Sequence, residues 1–341
     1  MSEVKLNKTT KITGMALVLL FVVLLSLFQF YYTRQLLPVN PRDKKQIDII
    51  IPDNSNARQI AALLKQKRLI RSESVFLTFA RRDHLDNQLK AGHYRFARNQ
   101  SVKEIAESIA EGRIVTKSFT IPEGFTVQQI GELLVSRHIC TDKQWTAALQ
   151  KDYNYDFLRK IAPGPHRLEG FLFPDTYSIP DNVTAEQIIN IMLKNFDKVW
   201  KQDFAATASR KNMDLYKTVV VASMVEREAK LDRERKTIAG VIYNRLNRGM
   251  PLQIDATVVF ALGVHKDTVT YQDLEINSPY NTYKYAGLPP GPISCPGKAS
   301  IEAALNPEKH SYYYYLAQGD GSHYFSKTYA EHLKAKQKYI K

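Results

Sequence analysis

The chain has 341 residues, of which 44% are hydrophobic and 11% aromatic, so two or three folded units with buried cores are expected and a largely disordered chain is excluded. The formal charge of +14 indicates attraction to polyanions, although a solvated basic surface without a specific partner is equally compatible with it. Cys140 and Cys295 lie too far apart in sequence for a CxxC zinc or redox motif.

The first feature along the chain is an apolar segment, Ile12–Tyr32, with 21 residues and no charge. A helix of that length spans a hydrocarbon core of about 30 Å. A cleaved signal peptide is the alternative, but the segment is long for one and ends in bulky aromatic residues, not in a small-residue cleavage site. We therefore predict a tail at 1–11, a transmembrane helix at 12–32 and a linker at 33–45. Basic residues flank both ends, so the positive-inside rule does not orient the span.

A small α+β module is predicted next, from 46 to 160. An internal repeat relates residues 51–64 to residues 121–134, because the pairs Ile-Pro, Gln-Ile and Leu-Leu recur at the same spacing. Each copy predicts a strand, a polar helix start and an amphipathic helix. No reactive group is assembled in this module, which favours a binding role. Strands are expected at Gln46–Ile51 and Tyr94–Phe96, and a capping box at Ser101 and Glu104.

From 161 to 341 the pattern is mainly helical, after a Pro-Gly-Pro breaker at 163–165. A loop region rich in Tyr, Pro and Gly, 278–297, has the length of a functional loop. The predicted fold class is therefore α+β, with an N-terminal transmembrane helix, a small α+β module and a mainly helical domain that ends in a short β element. Helices are expected at 184–204, 214–230 and 233–248, and strand-like segments at 312–317 and up to Phe325.

Two glutamates, Glu226 and Glu228, lie in the segment Val219–Ala229, whose length and flanks favour a helix over a strand. At 100° per residue the two side chains point about 200° apart. They cannot both reach one substrate bond, so each needs a separate role.

Glu226 lies beside small side chains one turn earlier, which leaves room for a ligand, and a partly desolvated carboxylate suits general-acid work. An ion pair with Lys230 at i+4 is the alternative role for Glu226. Glu228 points to the more apolar face of the helix. There we expect it to be structural and to pair with Arg235 or Arg245.

Other reaction types find no support in the sequence. There is no HExxH zinc motif, P-loop, GxGxxG fingerprint or nucleophile elbow, and the eight histidines are scattered. No metal and no cofactor are predicted.

Six short motifs follow one another from residue 168 onwards. One of them alone carries little weight, but in this order they resemble the YceG-like family of endolytic murein transglycosylases. The resemblance extends from the apolar segment to the last helix. The motifs are Leu168–Tyr177 (LEGFLFPDTY), Ala222–Glu228 (ASMVERE), Val241–Leu246 (VIYNRL), Leu252–Val258 (LQIDATV), Ser278–Tyr283 (SPYNTY) and Gly287–Ile293 (GLPPGPI).

The resemblance implies that Glu226, the first glutamate of the V-E-R-E run, is the catalytic acid. One carboxyl group then acts twice: it protonates the glycosidic oxygen between N-acetylmuramic acid and N-acetylglucosamine, and it takes the proton of the muramyl C6 hydroxyl. The product is a 1,6-anhydro end, so the reaction is a lyase reaction and not a hydrolysis. The candidates for substrate contacts are Gln253, Asn244 and Tyr283, each of which could instead satisfy loop backbone, and the runners-up as acids are Glu169 and Asp255.

The resemblance also implies a LysM-like glycan-binding unit at 46–160 and a catalytic domain at 161–341. Murein lies outside the cytoplasmic membrane, so the N-terminus is expected in the cytoplasm and the catalytic domain on the periplasmic side of the inner membrane. Peptidoglycan strands and the membrane are the expected partners, with peptidoglycan synthases beside them, and the expected role is to end glycan elongation. The alternative is a membrane-tethered peptidoglycan-binding scaffold that regulates synthases without cleavage. A nucleic-acid partner is not expected, because no recognition motif is present.

Overall fold

The computed structural model describes residues 8–159, 161–181, 183–264, 266 and 268–339, with side chains described from Met15 onwards. Residues 1–7 of the predicted tail lie outside this part. The chain forms two compact units: the first runs to Lys117 and takes in Pro180–Asn182, and the second contains Ser118–Ile179 and Val183–Lys341. The sequence placed this division later, between 160 and 161.

Helix α1 (Lys8–Leu36) contains the apolar segment. Its part Met15–Leu36 is long and apolar enough to cross a membrane by length and composition, and only 6% of its most hydrophobic window is buried within the protein. Most of its large apolar side chains therefore face outwards. This helix is consistent with the predicted membrane anchor.

The first unit is built on a two-stranded antiparallel sheet of β1 (Gln46–Ile51) and β2 (Gly92–Ala97), which confirms both predicted strands. The strand alternates as its sequence requires, since Ile49 and Ile51 are buried while Ile50 is 66% exposed. The predicted capping box of Ser101 and Glu104 is present at the start of α4. The helices of this unit after α1 are α2 (Ala57–Gln66), α3 (Glu73–Arg82) and α4 (Val102–Glu111).

The second unit begins with the same order of elements, as the internal repeat predicted. Strands β3 (Thr116–Thr120) and β4 (Thr176–Pro180), most of whose residues belong to this unit, form a second two-stranded sheet. A capping box again begins the helix that follows the first strand, with Thr126 in place of Asn56. The apolar face of that helix, including Ile130 and Leu134, is buried in the core of the second unit. This burial explains why the division falls before residue 118. The two helices are α5 (Val127–Ser136) and α6 (Asp142–Leu149).

The middle of the second unit is helical, and its centre is a helix whose residues Thr218–Val225 are all buried. The valines at 219–221 are therefore helical, as predicted. A later helix of this unit, α11 (Asp255–Leu262), starts without a side-chain cap. The helices are α7 (Ala185–Val199), which continues through a π-helical turn at Trp200–Phe204 into α8 (Ala205–Arg210), then α9 (Leu215–Glu228), α10 (Arg235–Asn247), α11 (Asp255–Leu262) and α12 (Lys298–Leu305).

The chain finishes with the predicted β element, followed by a helix. Strands β5 (Tyr314–Ala317) and β6 (His323–Ser326) pair antiparallel, and α13 (Tyr329–Tyr339) follows them. The mixed, mostly helical class with small sheets is thus confirmed.

Candidate active site

Helix α9 ends at Glu228, and its last turn carries both glutamates singled out in the sequence. The two side chains have different neighbours, as the helical angle between them predicted. Glu226 faces α10 and the residues around Gly297. Glu228 faces the start of α11 and strand β5.

Glu226 is enclosed by structural contacts. Nη1 of Arg235 donates to its Oε1 at 3.1 Å, and the backbone N–H of Gly297 donates to its Oε2 at 2.9 Å. Only 6% of the Glu226 side chain is exposed. Arg235 is held in turn by Ser300 at 2.6 Å and by Asp232 at 2.9 Å. The partner of Glu226 is therefore Arg235, and not Lys230.

A further carboxylate, missed in the sequence, lies close to this pair. A Cβ atom on Gly297 would overlap the carboxylate of Glu123, so the absence of a side chain at 297 makes the space for it. Burial raises the pKa of Glu123, and the charge of Glu226 adds to this effect. Glu123 lies more than a hundred positions before Glu226, in the second copy of the repeat, so only the folded chain brings the two together.

Glu228 is bound by a tyrosine and a backbone amide. The hydroxyl of Tyr315 and the N–H of Ala256 donate to its carboxylate. Burial raises the pKa of Glu228 to about 7, although these hydrogen bonds oppose the rise. The prediction that Glu228 pairs with Arg235 or Arg245 is wrong, because Arg235 is taken by Glu226 and the contacts of Glu228 come from β5 and α11.

Two of the predicted substrate contacts, Gln253 and Tyr283, lie on the Glu228 side of the helix. The hydroxyl of Tyr283 donates to the carboxylate of Asp255, the first residue of α11. The charge of Asp255 contributes to the raised pKa of Glu228, and the charge of Glu228 contributes to the raised pKa of Tyr283. The side chain of Gln253 accepts a hydrogen bond from Arg245 at 3.2 Å. We call Gln253, Asp255, Tyr283, Tyr315 and Glu228 the Glu228 cluster.

The backbone around this cluster is tightly specified. Gln253 has a left-handed φ of 53°, and its N–H donates to the carbonyl of Thr282 at 3.1 Å. Nη1 of Arg245 donates to the carbonyls of Pro251 and Leu252 at 2.9 and 2.8 Å. Gln253 and Asp255 are nevertheless exposed, so the cluster is open to solvent on one side.

Asn244, the third predicted substrate contact, is hydrogen-bonded to backbone carbonyls. Its side-chain amide donates to the carbonyl of His310 at 2.9 Å and to that of Tyr312 at 3.0 Å. In the described part of the chain, no hydrogen bond or ion pair joins Asn244 to Glu226 or Glu228.

Glu169, a runner-up as the acid, is 3% exposed. Both of its carboxylate oxygens lie 3.2 Å from the N–H of Val127, the first residue of α5. Burial raises the pKa of Glu169 to about 8. Its contacts give it a structural role at the start of this helix.

A cavity of about 460 Å³ adjoins the Glu228 cluster. Its walls come from α5, α6 and α11, and Glu169 lies at one side of it. Ala256, whose N–H binds Glu228, also lines the cavity, and so does Arg227. Within the described residues, no group of three or more His, Cys, Asp or Glu side chains is arranged to hold a metal ion.

Comparisons with known proteins agree with one another. The model of the YceG-like family matches residues 49–338. A protein of Bacillus subtilis (strain 168) named endolytic murein transglycosylase is 37% identical over an alignment of 325 residues, which covers 91% of this chain and 90% of that protein. A protein of the same name from Streptococcus pneumoniae (strain D39) is 31% identical, over 92% of this chain and 63% of its own length.

A solved structure is similar to this chain in fold as well as in sequence. The 2.6 Å crystal structure of a yceG-like protein from Listeria monocytogenes is 37% identical and superposes with a TM-score of 0.58, over 86% of this chain and all of that one. With the family model covering most of its length, the chain belongs to the YceG-like family.

Proposed function

We propose that this protein is a murein transglycosylase that cuts inside glycan strands, between N-acetylmuramic acid and N-acetylglucosamine, and that the reaction takes place at the Glu228 cluster. The names of the Bacillus and Streptococcus relatives support the reaction class. The observation that carries the location is the position of the Glu228 carboxyl group, which is largely buried next to Tyr315 and beside the exposed Asp255 and Gln253. Burial there raises its pKa to about 7.

The choice between the two glutamates rests on the partners of their carboxylates. Both oxygens of Glu226 are engaged by Arg235 and Gly297, and its side chain is almost fully enclosed. Glu228 is largely buried beside the exposed Gln253 and Asp255 and, within the described residues, forms no ion pair. Burial raises its pKa to about 7, so it remains protonated in part at neutral pH, as a general acid requires. The assignment of the acid to Glu226 stays a prediction, and the geometry favours Glu228.

The mechanism keeps the single-acid scheme. Protonated Glu228 donates its proton to the glycosidic oxygen as the bond from this oxygen to C1 of the muramyl residue breaks. The C6 hydroxyl oxygen then bonds to C1, and the Glu228 carboxylate takes the hydroxyl proton. The proton is returned to the enzyme, and the products are a free 4-hydroxyl and a 1,6-anhydro-muramyl end. Tyr283 and Asp255, which are hydrogen-bonded to each other, are the groups proposed to orient the sugars.

The remaining parts of the chain fit this reaction. Helix α1 is the proposed membrane anchor. Because murein lies outside the cytoplasmic membrane, the catalytic domain is proposed to lie outside as well, with the N-terminus in the cytoplasm. The module after it is proposed to bind glycan in the manner of a LysM unit. An enzyme tethered in this way meets newly made strands first, so we propose that it ends their elongation beside the synthases that make them.

The test is digestion of purified murein by the full chain in detergent, followed by mass spectrometry of the products. We expect the wild type to release anhydro-muropeptides and Glu228→Gln to be slower by about 100-fold or more. Glu226→Gln should keep most of its activity per folded molecule. A folded Glu228→Gln protein that cuts at the normal rate, with Glu226→Gln inert, would move the acid to Glu226. A wild type that binds murein and releases nothing would instead identify a scaffold.

A further inference from the structure

The cavity beside the Glu228 cluster combines an apolar wall with charged groups. Its wall includes Trp145 of α6 and Phe260 of α11. It is contiguous with the cluster, because the backbone N–H of Ala256 binds Glu228 while Ala256 itself lines the cavity. A substituent of the substrate that enters this cavity is therefore attached to the glycan close to the bond that Glu228 is proposed to cleave.

Arg227 supplies a positive charge in the cavity. It lies between the two glutamates in sequence, is exposed, and, among the residues that the structure describes, donates only to the carbonyl of Gly124, at 3.3 Å. Throughout the described ranges, no carboxylate lies within ion-pair distance of it. An arginine with free donors beside a reaction centre suits a carboxylate of the ligand, which its planar guanidinium binds in bidentate fashion.

Negative charges lie on the other wall. Glu132 of α5 and Asp142 of α6 both line the cavity and are exposed. Glu132 accepts a hydrogen bond from the neutral Gln128 at 2.9 Å. In the described part of the chain neither acid forms an ion pair. The cavity therefore offers a cation near Glu228, and anions on α5 and α6 for a positive group of the ligand.

We infer that this cavity binds the peptide stem carried by the muramyl residue at the cleavage point. Such a stem carries an acidic residue near the sugar and a diamino acid beyond it, with short apolar parts between them. Arg227 binds the carboxylate, Glu132 and Asp142 bind the amine, and Trp145 and Phe260 contact the apolar parts. A volume of about 460 Å³ is in the range of small-molecule sites. The inference rests on the proposed function, since it takes murein as the substrate.

The two tryptophans of the chain allow a direct binding test. Trp145 lines this cavity, whereas Trp200 lines a neighbouring groove that shares Pro165 and His166 with it. We would use the full chain with Glu228→Gln, which leaves the ligand uncut, and add Trp200→Phe so that Trp145 alone fluoresces. The probes are a soluble muropeptide, made of one disaccharide with its stem, and tetra-N-acetylchitotetraose, which has neither peptide nor carboxylate.

We expect the muropeptide to change the Trp145 emission with saturation, and the chitotetraose to leave it unchanged. Arg227→Gln should weaken muropeptide binding by about ten- to a hundredfold, because a charge-assisted hydrogen bond is lost. Thr146→Phe, at an exposed position on the cavity wall, should block the site, whereas Ala147→Phe, also exposed but outside the cavity lining, is the matched control.

The inference fails if chitotetraose binds as well as the muropeptide, which would indicate a sugar subsite, or if the signal comes from Trp200 in a Trp145→Phe protein. It also fails if Arg227→Gln binds normally. These results are separable from the proposed function. A Glu228→Gln protein that is inert on murein but shows no Trp145 response overturns the stem site alone, whereas an active Glu228→Gln protein overturns the choice of acid.

Discussion

Arg235 and Glu226 form a buried ion pair that joins the end of α9 to the start of α10, with the two side chains 10% and 6% exposed. Loss of Arg235 leaves the enclosed carboxylate of Glu226 without its cation and with the N–H of Gly297 as its remaining donor. We expect Arg235→Leu to lower the free energy of unfolding by about 3–5 kcal/mol, measured by urea denaturation. Arg233→Leu, at an exposed position of the preceding turn, is the control and should change little. Equal effects of the two variants would contradict the structural role of the pair.

Glu228 should give the rate of murein cleavage a dependence on pH. With a pKa of about 7, the carboxyl group loses the proton it must donate as the pH rises. We expect kcat/KM to fall above a pH of about 7, by up to tenfold for each further pH unit. The residual activity of Glu228→Gln should lack this descending limb. If kcat/KM of the variant fell with the same midpoint pH, a group other than Glu228 would cause the fall.

Glu169 should make stability depend on pH. Its pKa is about 8 in the folded protein and near 4.5 when unfolded, so the folded state holds the proton more tightly. The resulting stabilisation is complete below pH 4.5, declines as the pH rises, and is lost above about 8. As the pH rises from 4.5 to 8, we expect the free energy of unfolding of the wild type to fall by up to roughly 4 kcal/mol relative to that of Glu169→Gln.

Urea unfolding of the wild type and of Glu169→Gln at several pH values measures this difference. Glu186→Gln, at an exposed position of α7, is the control. Parallel curves for the wild type and Glu169→Gln would show that the carboxyl group titrates as in the unfolded chain.

Asn244 should affect stability more than catalysis. Asn244→Ala leaves the carbonyls of His310 and Tyr312 without their donor, which costs about 1–3 kcal/mol of unfolding free energy. The KM of the folded protein for murein should stay near that of the wild type. Asn247→Ala, at an exposed position on the same helix, is the control. A raised KM with unchanged stability would restore Asn244 as a substrate contact.

Tyr283 should affect catalysis. Tyr283→Phe keeps the ring and removes the hydroxyl that binds Asp255, so we expect murein cleavage to slow by about tenfold. Tyr285→Phe removes an equally hydrogen-bonded but more exposed hydroxyl, which binds Asn277, and should retain full activity. If both variants cut alike, the Tyr283–Asp255 contact plays no part in the reaction.

Local structure could be predicted well because its causes are local. The capping box at Ser101 follows from residues three positions apart, and the separation of Glu226 from Glu228 follows from the angle per residue of a helix. The strand–helix repeat was visible for the same reason. Its two copies nevertheless belong to different units, since the apolar face of α5 packs into the core of the second.

The contacts of the acids could not be predicted, because they join residues distant in sequence. Lys230 was the expected partner of Glu226 on helical spacing, but Arg235 reaches it from the next helix. Tyr315, which binds Glu228, lies in a strand near the end of the chain. Helical periodicity carries no information on such partners. Likewise, the sequence does not show that the side chain of Asn244, unlike that of Gln253, binds backbone, because the carbonyls that it binds lie in the distant loop at 310–312.

Gly297 influences the site without a side chain of its own. Its N–H holds one carboxylate, and its open Cα face admits another, that of Glu123. Because that carboxylate ends a flexible side chain, a methyl group at 297 would displace the carboxylate and leave the backbone intact. Position 297 therefore acts as an adjustable spacer: the size of the residue there determines how near a second negative charge comes to Glu226.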